Sequence, residues 1–163
     1  MEWLEKILQN FETYDDALTP SVVSQLAAAS LLWLDNMSSP RKWALSHAQI
    51  CRLLGDIPVE VYLDLKCQAT THHFIELNGN IFKRINLLLK IANALQCIAD
   101  ESAYEWFHAH YAFLNNMSIK EYLLKHNSLD AFNLTYQYLD AAVNPPSHWR
   151  DYLTKIAGRR PTL

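Results

Sequence analysis

IFKRINLLLKIANALQCI, residues 81–98, places Ile81, Ile85, Leu88, Leu89, Ala92, Leu95 and Ile98 at three- and four-residue intervals. That spacing puts one apolar stripe along a long amphipathic α-helix, the element around which the rest of the chain must pack. Downstream, Asp100 or Ser102 opens a short helix carrying Tyr104, Trp106 and Phe107. Ser118 and Glu121 stand three apart, as a capping box requires, just before Tyr122, Leu123 and Leu124. Ser128 then caps a helix through Ala142 with Leu129, Phe132, Tyr136 and Leu139 on one face. Asn144-Pro145-Pro146 ends it, and a last helix over 149–156 leads into the tail Gly158-Arg159-Arg160-Pro161-Thr162-Leu163.

Upstream, residues 67–79 are polar and rich in His and Thr, and read as a loop. Before them, Pro58 begins a helix reaching about Lys66. Ser46 with Gln49 forms another capping box, whose helix reaches Leu54 and stops at Gly55. Thr19-Pro20 opens a helix through Leu34, and residues 36–40 form a turn cluster suited to a linker. Trp3, Leu4, Ile7, Leu8 and Phe11 mark a first amphipathic helix. No strand-like alternation and no internal repeat is visible. The expected fold is all-α, a helical bundle in three parts. These are an N-terminal helical extension (1–40), a helix-turn-helix-like region (41–79), and a helical domain with a basic C-terminal tail (80–163).

Composition narrows the function. The 163 residues are 50% hydrophobic and 19% charged, with five Trp, eight Tyr and six Phe, so a sizeable core needs no covalent staples. A net charge of −3 argues against coating nucleic acid through bulk charge. The charge is uneven: residues 1–40 hold six acids and one base (−5), whereas residues 150–163 hold four bases and one acid (+3). Cys51, Cys67 and Cys97 have no metal or redox spacing and lie in apolar helical patterns, so buried, reduced thiols are expected. The acidic, amphipathic N-terminus is unlike a secretory signal, and the apolar run 22–34 is too short for a bilayer. A cytoplasmic protein without membrane contact follows as the expectation.

Chemistry of its own is not expected. Three scattered glycines (Gly55, Gly79, Gly158) cannot build a phosphate-cradling loop or a nucleophile elbow. His108 and His110, like the adjacent His72 and His73, would point to different faces of a helix. Glu105 and His108 match one half of a carboxylate-bridged di-metal site, but no second such pair exists. No enzyme, metal or cofactor is expected. Residues 46–66 have the outline of a helix-turn-helix, with Ala48, Leu53, Leu54 and Val61 available to pack its elbow. Its second helix carries Asp56, Glu60 and Asp64 against Lys66, and carboxylates facing a polyanion disfavour entry into the major groove.

Four stretches in order carry a family resemblance. Trp43-Ala44-Leu45-Ser46 with Leu53-Leu54-Gly55 is similar to a "W-G-L-S … L-L-G" entry. Lys83-Arg84-Ile85-Asn86-Leu87-Leu88 with Ala94-Leu95 is similar to "E-R-I-x-x-L-L … A-L". Trp106, then Asn115-Asn116 and Ser118-Ile119-Lys120-Glu121-Tyr122-Leu123, is similar to "W … G-G-x-[ST]-P-x-[DE]-x-L", and Tyr138-Leu139-Asp140-Ala141 to a closing "Y-L-D-A". Together they resemble the Xre/MbcA/ParS antitoxins, over roughly residues 43–143. The resemblance implies an antitoxin of a type II toxin–antitoxin system, expected to dimerise and to cover the active site of a toxin. The toxins of this family are commonly RES-domain proteins that attack NAD or transfer ADP-ribose from it. Carried onto this chain, it makes residues 80–163 a toxin-binding domain with Trp106, Asn115, Asn116, Tyr122 and Tyr138 as toxin-binding residues. The basic tail adds Arg159 and Arg160, which could pair with acids in the toxin's cleft. The family's two glycines are Asn115 and Asn116 here, residues that tolerate the left-handed conformation, and its proline is Ile119. The alternative function is a helix-turn-helix DNA-binding repressor.

Overall fold

The structure, a computed structural model, describes residues 19–99 and 103–144. They form seven α-helices and one small hairpin. Helix α1 (Pro20–Met37) starts with proline in its first turn after an extended Thr19, whose side chain makes no cap bond. It continues past the expected end at Leu34, because Met37 is still on the buried stripe with Leu26, Ala27, Leu31 and Leu34. Residues 38–45 are less a linker than a stitched turn. Backbone N–H groups of Trp43 and Leu45 donate to Met37 and Ser38 carbonyls, each at 3.0 Å, and Trp43 is buried.

Helix α2 (His47–Leu53) has the full capping box at Ser46 and Gln49. The chain reverses at Gly55, where φ is +101°, a value that favours glycine. Helix α3 (Val59–Thr70) runs four residues beyond the expected end at Lys66. Only Ala69 of that added turn is buried, so the segment offered hardly any apolar period to read. The Lys66 ammonium, 2.6 Å from Asp35, and the Tyr62 hydroxyl, 3.3 Å from the same carboxylate, fasten α3 to α1.

Helix α4 (Gly79–Ala99) is the long helix expected, and it packs chiefly on α7 and α5. Helix α5 (Ala103–His108) is followed by strand β1 (His110–Tyr111), a 3-10 turn (Ala112–Leu114) and strand β2 (Met117–Ser118). The strands pair antiparallel, His110 opposite Ser118 and Tyr111 opposite Met117; two residues apiece are too short to show alternation in sequence. Helix α6 (Ile119–His126) begins with the Ser118–Glu121 capping box, and α7 (Leu129–Val143) with the Ser128 cap. Among the described residues no helix is long and apolar enough to cross a membrane.

A single apolar cluster runs from Leu26 of α1 to Leu139 of α7. At its centre Trp43 stacks on Phe107 (centroids 4.1 Å apart) and meets Trp33 edge-on at 5.5 Å. Fully burying a side chain such as Phe107 contributes about 1.5–3 kcal/mol, and each aromatic pair adds roughly 0.5–1.5 kcal/mol. The cysteines differ from expectation: Cys51 is buried, but Cys67 and Cys97 are exposed, each on the solvent side of its helix. The elbow is packed by Ile50, Leu53, Leu54 and Tyr62, whereas Ala48 and Val61 face solvent. The helices expected around Trp3–Phe11 and over 149–156 lie outside the described residues.

One buried cation crosses this core. Arg84 of α4 donates to the Leu53 carbonyl (3.2 Å), to Asn127 Oδ1 (2.8 Å), to the Asn127 carbonyl (2.9 Å) and to Asn80 Oδ1 (3.2 Å). Its guanidinium sits over the Phe132 ring, and an added Cβ on Gly55 would come within 3.2 Å of Arg84 Nε. Arg84→Met should therefore cost about 3 kcal/mol or more in chemical denaturation, since it removes several buried charge-assisted bonds at once. Gly55→Ala should cost more than about 1 kcal/mol through its backbone angle alone.

Candidate partner-binding surface

The hairpin between α5 and α6 exists because two consecutive asparagines accept a left-handed backbone. Asn115 and Asn116 have φ of 55° and 58°, and their N–H groups donate to the carbonyls of Ala112 and Tyr111. The turn thereby survives without the glycines of the antitoxin pattern. It projects Tyr111 and Phe113 onto the surface next to α5 and α7. The Tyr111 hydroxyl donates to the Trp106 carbonyl at 2.7 Å. The Tyr111 and Phe113 rings lie 5.2 Å apart, and Phe113 stacks on Tyr138 at 4.4 Å. Tyr111, Phe113 and Tyr138 thus form a chain of ring contacts, tied to α5 through the Trp106 backbone carbonyl.

The outer members of this chain are open to solvent: Trp106 is 39% exposed and Tyr138 46%. Leu134, one helical turn before Tyr138 on α7, is also 39% exposed. Tyr111 and Phe113 are half-buried and anchor the others to the core. Burial raises the Tyr111 hydroxyl above its ordinary pKa, which keeps it protonated as the donor to Trp106. Single exposed apolar residues need no explanation, but connected aromatic ones of this kind mark contact surfaces in other proteins.

Of the residues expected at the toxin interface, Asn115 and Asn116 form the hairpin turn, Trp106 meets Tyr111 through its backbone carbonyl, and Tyr138 stacks on Phe113. Tyr122 does not join them; it lies half-buried on α6 against its own neighbour His126, at 4.4 Å. Arg159 and Arg160 lie outside the described residues. Tyr111, Phe113 and Leu134 belong to the surface but were not singled out by pattern. Phe113 sits on the 3-10 turn, off the helix that carries Trp106 and Phe107, and of these three only Phe107 is fully buried.

The elbow between α2 and α3 is tied down rather than free. Arg52 donates to the Leu124 carbonyl and pairs with Asp56 at 3.3 Å; Asp56 in turn accepts from Asn127 Nδ2 at 2.6 Å. Glu60, Asp64, Val61 and Leu63 are exposed along α3, and Lys66 is engaged with Asp35. The histidines are dispersed: His108 Nε2 is 3.1 Å from the Lys42 carbonyl and His110 is 3.4 Å from Glu121. Among the described residues no group of metal-ligating side chains comes together. Burial pushes the Cys51 thiol up from its ordinary pKa, away from the thiolate a nucleophile needs.

Glu121 holds the base of the hairpin. Its Oε2 accepts from the Ser118 backbone N–H (2.8 Å) and hydroxyl (2.9 Å). Those bonds, the backbone one first and His110 adding to them, hold its carboxyl below the usual value of 4.5. A depressed folded pKa contributes stability above the unfolded pKa that is lost as pH falls through the folded value. The Ser118 amide resonance should accordingly titrate with a midpoint below 4.5, and Glu121→Gln should abolish that titration.

Comparison of the chain with protein-family models, with curated proteins and with solved structures finds no match in any of the three.

Proposed function

We propose that this chain is the antitoxin of a type II toxin–antitoxin system, a member of the Xre/MbcA/ParS group, acting in the cytoplasm as a homodimer. It neutralises a co-encoded, RES-like, NAD-directed toxin by covering the toxin's active site, and performs no catalysis itself. The observation that carries this reading is the aromatic surface of Tyr111, Phe113 and Tyr138, with the exposed Trp106 tied to it through its backbone carbonyl, on a hairpin closed by the asparagine turn. Half of it comes from residues that also carry the family resemblance. Such rings supply large contact area at low conformational cost, which is why they dominate binding energy at interfaces. The basic tail with Arg159 and Arg160 is suited to reach an acidic group in the toxin's cleft.

The rival reading is a DNA-binding repressor, favoured by the capped helix-elbow-helix outline of α2 and α3. Against it stand the exposed Glu60 and Asp64 and the engagement of Arg52 and Lys66 within the molecule. A gel shift with DNA from upstream of the gene, run beside toxin capture, separates the two: capture without a shift is the antitoxin reading alone, and a shift without capture is the repressor.

The decisive measurement is co-purification and growth rescue with the protein encoded next to this chain. Trp106→Ala and Tyr138→Ala should each weaken capture by about tenfold to a hundredfold, as central aromatic anchors do. Leu63→Ala on α3 should leave capture unchanged. Truncation after Ala157 should preserve capture but reduce inhibition. Full rescue by the Trp106→Ala/Tyr138→Ala double variant would sink the surface assignment.

A further inference from the structure

Helix α1 carries no charge on the side it turns to solvent between Ser21 and Leu32. Asp35 is the only charged residue of the helix, and it is engaged with Lys66 and Tyr62 of α3. Ser21, Gln25 and Leu32 are exposed along one outer stripe, with Ala28 and Ala29 half-buried among them. Beside this stripe runs the loop that follows α3. The Ile75 N–H donates to Ser24 Oγ at 2.8 Å, which ties the loop to α1. Its neighbour Phe74 is left 61% exposed, the most open large apolar side chain among the described residues. A groove of about 400 Å³ lies here, with Ser21, Gln25 and Ala28 on one side and His73 and Phe74 on the other. Leu32, 37% exposed, stands one turn beyond Ala28. Surface helices ordinarily turn charged residues to water, so an outer stripe without them marks a face that protein covers.

We propose that this face is the interface of a symmetric homodimer, in which α1 of one copy crosses α1 of another antiparallel at Ala28 and Ala29. A two-fold axis there sets Leu32 of each copy opposite Gln25 of the other, so each leucine enters the groove beside Phe74. Knob and groove lie on the same face, offset along the helix, and the two-fold brings each to the other. That is the self-complementarity an isologous contact requires. The small side chains at the axis let the helices approach to about 8 Å. Charge selects a second copy as the occupant. A chain of net charge −3 repels itself wherever acids meet across a two-fold. Glu60 and Asp64 would do so if the exposed Val61 and Leu63 of α3 paired instead, whereas the α1 stripe brings no like charges together. The homodimer of the proposed function thereby gains a surface. It shares no residue with the aromatic surface, so dimerisation and toxin capture stand or fall separately. An 18-residue helix is about 27 Å long. One such crossing falls short of the roughly 800 Å² per partner of a standard interface, which points to micromolar association.

The test is sedimentation equilibrium of the full chain over about 1–300 µM, with a monomer–dimer Kd of about 1–100 µM expected. Leu32→Asp should weaken association at least about thirtyfold, because it sets a carboxylate in an apolar groove twice per dimer. Leu63→Asp should leave it unchanged. In a Cys67→Ser/Cys97→Ser background, a short bismaleimide should join Ala28→Cys chains to one another and should not join Leu63→Cys chains. A chain that stays monomeric, a dimer indifferent to Leu32→Asp, or cross-linking at position 63 but not at 28 overturns the proposal. A monomer whose position-28 thiol is shielded from maleimide also overturns it, since another segment of the same chain then covers the face. Cross-linking leaves Leu32 in place, so the test holds even if Leu32→Asp fails to fold.

Discussion

The guanidinium of Arg84 is the constraint on which the arrangement of this molecule rests. Burying an ion costs several kcal/mol unless its protons are satisfied. Here the acceptors are two backbone carbonyls and two amide oxygens, from Leu53, Asn127 and Asn80. Burial lowers its pKa from the ordinary value of 12.5, but a guanidinium stays charged in proteins. A lysine in its place has one point of charge and cannot reach acceptors on both sides, whereas the planar fork can. The acceptors belong to the end of α2, the start of α4 and the corner between α6 and α7. Arg84 therefore sets where the elbow sits relative to the C-terminal helices, and Gly55 leaves the fork its room: a Cβ there would stand 3.2 Å from Arg84 Nε.

From that fixed corner the aromatic surface follows by geometry. Helix α7 leaves the Asn127 corner and carries Tyr138 onto Phe113 of the hairpin, while α5 packs on α4 and seats Phe107 against Trp43. The hairpin bridges the two, and its short strands are too small to be stable alone. It is held at one end by the paired asparagines and at the other by the Ser118–Glu121 box. A contact surface built this way loses little freedom when a partner arrives, since Tyr111, Phe113 and Tyr138 already rest against one another.

The sequence was most legible where local chemistry is strong. Both capping boxes, the Ser128 cap, the stop at Gly55 and the long α4 stripe are written in adjacent residues, and each element stands where its signal lies. The last turn of α3 was illegible because it buries only Ala69, so the helix there is extended by packing on α1 rather than by its own pattern. Cys67 and Cys97 misled because an apolar neighbourhood in sequence does not say which side of a helix a thiol occupies. Tyr111 and Phe113 were obscured for a related reason: a two-residue strand followed by a 3-10 turn has no period to detect. Arg84 could be read as part of a motif, but its role depends on Leu53 and Asn127, 31 and 43 residues away.

The continuity of the core has a consequence for turnover. Because Trp33, Trp43, Phe107 and Leu139 belong to one cluster, detaching any element that carries one of them uncovers apolar surface on the others. Regions that open together expose cleavable backbone only in the fully open state. Degradation of the free protein would then track its overall folding equilibrium. Any ligand that binds only the native form would lengthen its lifetime by mass action, without having to shield a particular cut site.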